Sequence, residues 1–133
     1  MKNTYTGGCH CGAVRYEADM DLSQGTMRCN CSMCGKTRAW LIGIGNDDFR
    51  LLKGQESLTD YQFNRHNIHH LFCKTCGVKS FGRGIGPNGK PMVAVMLATV
   101  DNLSDAERAA LPITYVDGRN DNFAKAPAET RHL

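Results

Sequence analysis

With 133 residues, 41% of them hydrophobic, the chain is long enough to bury a core as a single domain spanning residues 1–133. Its formal charge of +3 comes from scattered Lys and Arg with no basic block, which argues against a nucleic-acid partner. The first ten residues, MKNTYTGGCH, hold no apolar signal segment, and the longest apolar run, residues 92–98, is far too short to cross a bilayer, so a cytoplasmic protein with no membrane partner is expected.

Along the chain, short β-branched or alternating runs are punctuated by Gly, Asn and Asp. They predict strands at residues 13–18 (AVRYEA), 26–30 (TMRCN), 39–44 (AWLIGI), 49–54 (FRLLKG), 58–63 (LTDYQF), 68–73 (IHHLFC), 79–84 (KSFGRG), 92–100 (MVAVMLATV) and 113–118 (ITYVDG). That spacing is the mark of a mostly β, antiparallel fold. Residues 84–89, GIGPNG, carry the letters of a dinucleotide-binding glycine motif, but the motif needs a helix to follow, and KPMVAVM reads as a strand. A hairpin turn at residues 87–89 accounts for the glycines. One helix signal stands out: Ser104 and Glu107 form a capping box ahead of AERAAL, and Pro112 closes a short peripheral helix. The polar tail from residue 120 to 133 is expected to wrap the surface.

Seven cysteines without a secretion signal point to metal-binding thiolates rather than disulfides. Two divalent ions held by seven thiolates would bring the formal charge down to about zero, which weakens the case for nucleic acid further. The cysteines form three groups: CHC at Cys9 and Cys11, CNCSMC at Cys29, Cys31 and Cys34, and CKTCG at Cys73 and Cys76. In an extended strand residues i and i+2 face one way, so each CxC pair offers two sulfurs in the same direction. A CxxC turn instead folds two sulfurs around one ion, with Gly77 free to take positive φ. By this geometry Cys9, Cys11, Cys73 and Cys76 make a closed four-thiolate cage, and Cys29, Cys31 and Cys34 hold a second ion with one position open. The other division, with Cys34 joining the N-terminal pair, would split a compact loop between two ions. All-sulfur sites suit zinc or iron-sulfur chemistry, and a cluster would ask for a fourth cysteine beside the trio, so two zinc ions per chain are expected. A histidine can still close the trio: RHNIHHLF offers His66, His69 and His70, with strand alternation placing His69 and His70 on opposite faces.

Zinc with three thiolates carries a net negative charge, which blunts its power to acidify water and makes an incoming fourth thiol the better match. A thiol such as glutathione also needs cations for its carboxylates, and Lys36, Arg38, Arg65 and Arg83 border the cysteine groups. Trp40 is either an apolar wall of such a site or core packing beside LIGI.

The order GGCHCGAVRY, RCNCSMCGK, LFCKTCG, extended through YVDGRNDNF, resembles the glutathione-dependent formaldehyde-activating enzyme family over most of the chain. The resemblance implies a β-tent fold of antiparallel sheets, a structural zinc on Cys9, Cys11, Cys73 and Cys76, and a second, catalytic zinc on Cys29, Cys31 and Cys34 associated with glutathione. It implies a carbon-sulfur lyase or synthase that joins formaldehyde to glutathione as S-hydroxymethylglutathione, with Lys36 and Arg38 as candidate glutathione contacts. Asn30 stands inside the trio where many relatives carry a histidine, so no general base is expected there. The contrasting class is a non-catalytic, zinc-stabilised module that binds a thiol or a protein.

Overall fold

The computed structural model describes residues 1–133 as two β-sheets with two short helices. The smaller sheet has the order β1 (Asn3–Gly8), β2 (Arg15–Met20), β5 (Phe49–Lys53), antiparallel throughout. The larger sheet has seven strands. Its order is β10 (Ile113–Val116), β3 (Thr26–Cys29), β4 (Trp40–Gly45), β9 (Pro91–Met96), β8 (Phe81–Ile85), β7 (His69–Cys73), β6 (Leu58–Tyr61). Only the β10–β3 pair is parallel.

Alternation in β2 decides which face is buried: Tyr16, Ala18 and Met20 point inward, while Arg15, Glu17 and Asp19 stay partly in water. Tyr16 stacks on Phe49 at 5.4 Å, and Phe49 meets Phe81 of the larger sheet at 4.6 Å, so aromatic rings join the two sheets through one core with Val93 and Val95. The mostly β expectation holds, and each of the nine predicted runs contains a strand. The tenth strand, β1, was not expected, because NTYTGG is polar and ends in two glycines. It forms because β2 supplies a six-residue antiparallel partner, reinforced by the Thr4 hydroxyl donating to Asp19 at 2.7 Å.

The run at residues 92–100 leaves the sheet early, turning as a 3-10 segment at Leu97–Thr99. Residues 86–90 make the expected hairpin turn, with Gly86 N–H donating to the Lys90 carbonyl at 2.8 Å and no helix after it. The peripheral helix, α2, spans Asp105–Ala109; Ser104 and Glu107 make both capping-box bonds, and Arg108 ties it to the carbonyls of Leu97 and Val100. The other helix, α1 (Ser32–Thr37), occupies the stretch expected to be a turn within the cysteine trio. No helix is long and apolar enough to cross a membrane.

Candidate metal centres

Cys9 and Cys11 lie in the bent loop between β1 and β2, not on the extended strand that their spacing suggested. Cys9 N–H donates to the Val14 carbonyl at 3.1 Å and Val14 N–H returns to Cys9 Sγ at 3.3 Å, so the loop curls around its sulfurs. Across from it, Cys73 ends β7, and a turn brings Cys76 alongside. Gly77 closes that turn at φ 77°, donating to the Cys73 carbonyl at 2.8 Å. Cys11 Sγ stands 3.6 Å from both Cys9 Sγ and Cys73 Sγ. All four sulfurs lie within 4.8 Å of one another. Four sulfurs around a tetrahedral zinc stand about 3.8 Å apart, given Zn–S bonds of about 2.3 Å, whereas a disulfide needs about 2 Å. The donor set fits a sulfur-ligated ion. Backbone N–H groups, first that of Cys11 and then that of Val78, hold the Cys76 thiol down to about 6, in the range where a metal-ready thiolate forms at neutral pH.

The second cluster grows from one continuous stretch. Cys29 ends β3, Cys31 caps α1 and Cys34 lies inside it, with the three sulfurs within 4.8 Å of one another. Cys31 N–H donates to Cys29 Sγ at 3.3 Å and Cys34 N–H to Cys31 Sγ at 3.3 Å, so the helix start is built on sulfur acceptors. Hydrogen bonds from the Cys29 and Cys34 thiols hold Cys31 far below the usual thiol range, while hydrogen bonding to Cys29 and then to Cys31 pushes Cys34 far above it. Three sulfurs this close cannot all be charged without a cation between them, which is the condition a bound metal meets.

No histidine joins the trio. His66 is exposed, and His69 pairs with Asp60 at 2.6 Å on the outside of β7. His70 is buried on the opposite face, with Nδ1 2.7 Å from Lys79 Nζ and Nε2 without a partner. A lysine ammonium has only donors, so Nδ1 accepts from Lys79 and Nε2 carries the proton, which leaves neither ring nitrogen free for a metal.

The parallel register sets Val116 against Cys29, which carries the following Asp117–Gly118 loop over the trio. Asn30 bolts that loop down. Its Nδ2 donates to Asp117 at 2.9 Å, and its Oδ1 accepts from Arg119 N–H at 3.0 Å, with the side chain buried. Gly118 passes so close that a Cβ there would overlap Cys29 Sγ and come within 3.1 Å of Cys31 Cβ. Sequence reasoning singled out Asn30 only as the place of a missing general base, and it ran Asp117 and Gly118 into the predicted strand 113–118, whereas β10 ends at Val116.

Of the predicted cations, Lys36 and Arg38 sit on either side of α1. Lys36 borders a cleft of about 190 Å³ with Met33, Tyr61 and Phe63, and Arg38, in left-handed backbone at φ 52°, borders a cavity of about 340 Å³. Arg65 is exposed in a loop. Arg83 departs from expectation: alternation puts it with Phe81, and it stacks over Phe49 and Phe81 at 5.3 and 5.4 Å while donating to Asn46 at 2.9 Å. Trp40 packs against the core, as one of its two readings expects, and donates to Thr26 at 2.7 Å; it also lines the Arg38 cavity.

Two sulfur-only clusters carried by a pair of β-sheets, each able to hold a metal ion, define the class of protein this fold belongs to. A solved structure is similar in fold: a protein of Rhodobacter sphaeroides, 30% identical, superposes with a TM-score of 0.70 over 82% of this chain and 99% of its own. The family model described as glutathione-dependent formaldehyde-activating enzyme matches residues 4–116, and the chain belongs to that family.

Proposed function

We propose that the chain makes and breaks the carbon-sulfur bond between glutathione and formaldehyde, using a zinc held by Cys29, Cys31 and Cys34, while a zinc held by Cys9, Cys11, Cys73 and Cys76 maintains the fold. One observation carries this reading: one cluster has four sulfurs and is complete, whereas the other has three and no further protein ligand. A zinc in the trio supplies a place where an incoming thiol loses its proton and is held as a thiolate.

The chain's own residues do the rest. Cys29, Cys31 and Cys34 leave one side of their cluster for the thiol, and Asn30 and Gly118 fix the loop that backs the other. Lys36 on α1 and Arg38 at its C-terminal cap meet the carboxylates. In the forward direction the glutathione sulfur attacks the formaldehyde carbon, a C–S bond forms, and the C=O π pair moves to oxygen. The proton released by the thiol ends on that oxygen, giving S-hydroxymethylglutathione; the reverse reaction runs through the same atoms.

Cobalt-substituted protein tests this reading. Glutathione should change the thiolate-to-metal absorption, and S-methylglutathione, which has no thiol, should not. Equal responses to both would replace the enzyme with a binding module whose metals serve only the fold.

A further inference from the structure

Lys79 was not among the residues singled out in the sequence, and its surroundings are unusual. Its side chain is half-buried, and its one hydrogen-bond partner is His70 Nδ1 at 2.7 Å. Burial lowers its proton affinity, and what acts against burial is the nearby sulfurs of Cys34 and Cys31, with no carboxylate among them. Lys79 has no carboxylate partner, so an anion arriving from outside would find its remaining ammonium donors unpaired.

The cavity that Lys79 lines shows where that anion would go. It measures about 340 Å³, and its wall includes Thr37, Arg38, Trp40, Val78, Lys79 and Met96, with no Asp or Glu among the lining residues. It therefore gathers two cations and no negative charge. Thr37 and Arg38 come from the end of α1, whose Cys34 carbonyl accepts from Ala39 N–H at 3.1 Å, so the cavity adjoins the segment that carries the third sulfur of the trio. The other hollow beside α1 is different: its one cation is Lys36 and the rest of its wall is Ser32, Met33, Tyr61 and Phe63. The Lys79 ammonium lies over Gly82, its Cε and Nζ 3.7 and 3.9 Å from where a Cβ would stand. His70, stacked on Phe63 at 5.3 Å, is rigidly held beneath it. One ammonium proton goes to His70 Nδ1, and the others remain for a ligand.

We propose that Lys79, together with Arg38, binds a carboxylate of the thiol whose sulfur occupies the open side of the trio, and that His70 is a positioning residue that aims the Lys79 ammonium into the cavity. This rests on the function proposed above and adds an anchor to it: the site selects thiols that also bear a carboxylate.

The test compares glutathione with its diethyl ester, which keeps the thiol and removes both carboxylate charges, by titrating each into cobalt-substituted protein. Wild type should bind glutathione at least about tenfold more tightly than the ester, the scale of a charged hydrogen bond in a partly exposed site. Lys79→Met should bring glutathione down toward the ester's affinity and leave the ester's unchanged, with the metal count unaltered. His70→Leu should have the same selective effect at smaller size, and His70→Gln, whose amide oxygen can accept from Lys79, should restore part of it. If wild type binds glutathione and ester equally, or Lys79→Met weakens both alike, the carboxylate site is wrong, while the carbon-sulfur chemistry proposed for the trio stands. If neither thiol changes the cobalt spectrum of wild type, the function itself fails and the carboxylate site fails with it.

Discussion

Both cysteine clusters bring every sulfur within 4.8 Å, yet the chain assembles them in opposite ways. The four-cysteine cage joins the loop after β1 to the end of β7, and its Cys11–Cys73 contact spans 62 positions. The trio is built inside one local stretch, Cys29 to Cys34, by a six-residue helix whose first N–H groups bond to the sulfurs. A metal in the cage therefore closes a long loop and removes much of the unfolded chain's freedom, whereas a metal in the trio closes a loop that α1 already shapes. On the proposed reading, the same donor atom would serve the fold in one place and leave a coordination position free in the other.

The comparison breaks most visibly at the cage. Cys76→Ser should cost a large part of the fold, since structural zinc supplies on the order of 10 kcal/mol in small domains, comparable with a whole domain's stability. Insoluble protein or a large fall in Tm is the expected outcome. A soluble variant with a wild-type melt would show that the cage is dispensable. Cys34→Ser should be milder: a folded protein that has lost one metal and its response to glutathione, judged by melting and elemental analysis.

Asn30→Ala sharpens the contrast from the side of the trio. It leaves the Arg119 N–H and the Asp117 carboxylate without their buried partner, a loss of about 1–3 kcal/mol. Affinity for the second zinc should fall with it, while the cage keeps its own metal. Competition with a chromophoric chelator measures both in one titration.

The smallest effect at neutral pH belongs to Tyr16, beneath the two sheets, whose hydroxyl burial pushes up to about 12. A raised pKa means that the folded state holds the proton more tightly. The stability this contributes is fully present below the ordinary tyrosine value of about 10 and is lost as pH rises through about 12. In an ultraviolet titration one of the four tyrosines should ionise late, together with alkaline unfolding.

The strands were legible because β-branched alternation and turn residues are local signals, as at β2 and β9. β1 was not, since its strand state comes from its partner rather than from NTYTGG itself. α1 was hidden for a related reason: SMCGKT holds a glycine, and its cap is a cysteine outside the usual capping residues. The grouping of the sulfurs followed from spacing, although CHC achieves it by a bent loop and not by a strand. The parallel return of β10 could not be read at all, because Val116 meets Cys29 across most of the chain. With it went the Asp117–Gly118 cover and its Asn30 bolt. Lys79 was invisible because KSFGRG shows a strand, not the empty cavity beside it.

The most direct test of the asymmetry is stepwise removal of zinc from the wild-type protein with increasing chelator, followed by native mass spectrometry and circular dichroism on the same samples. The account predicts two zinc ions at the start, loss of one while the β spectrum stays unchanged, and unfolding only as the second leaves. Two ions that depart together as the protein unfolds, or a starting count of one, would contradict it.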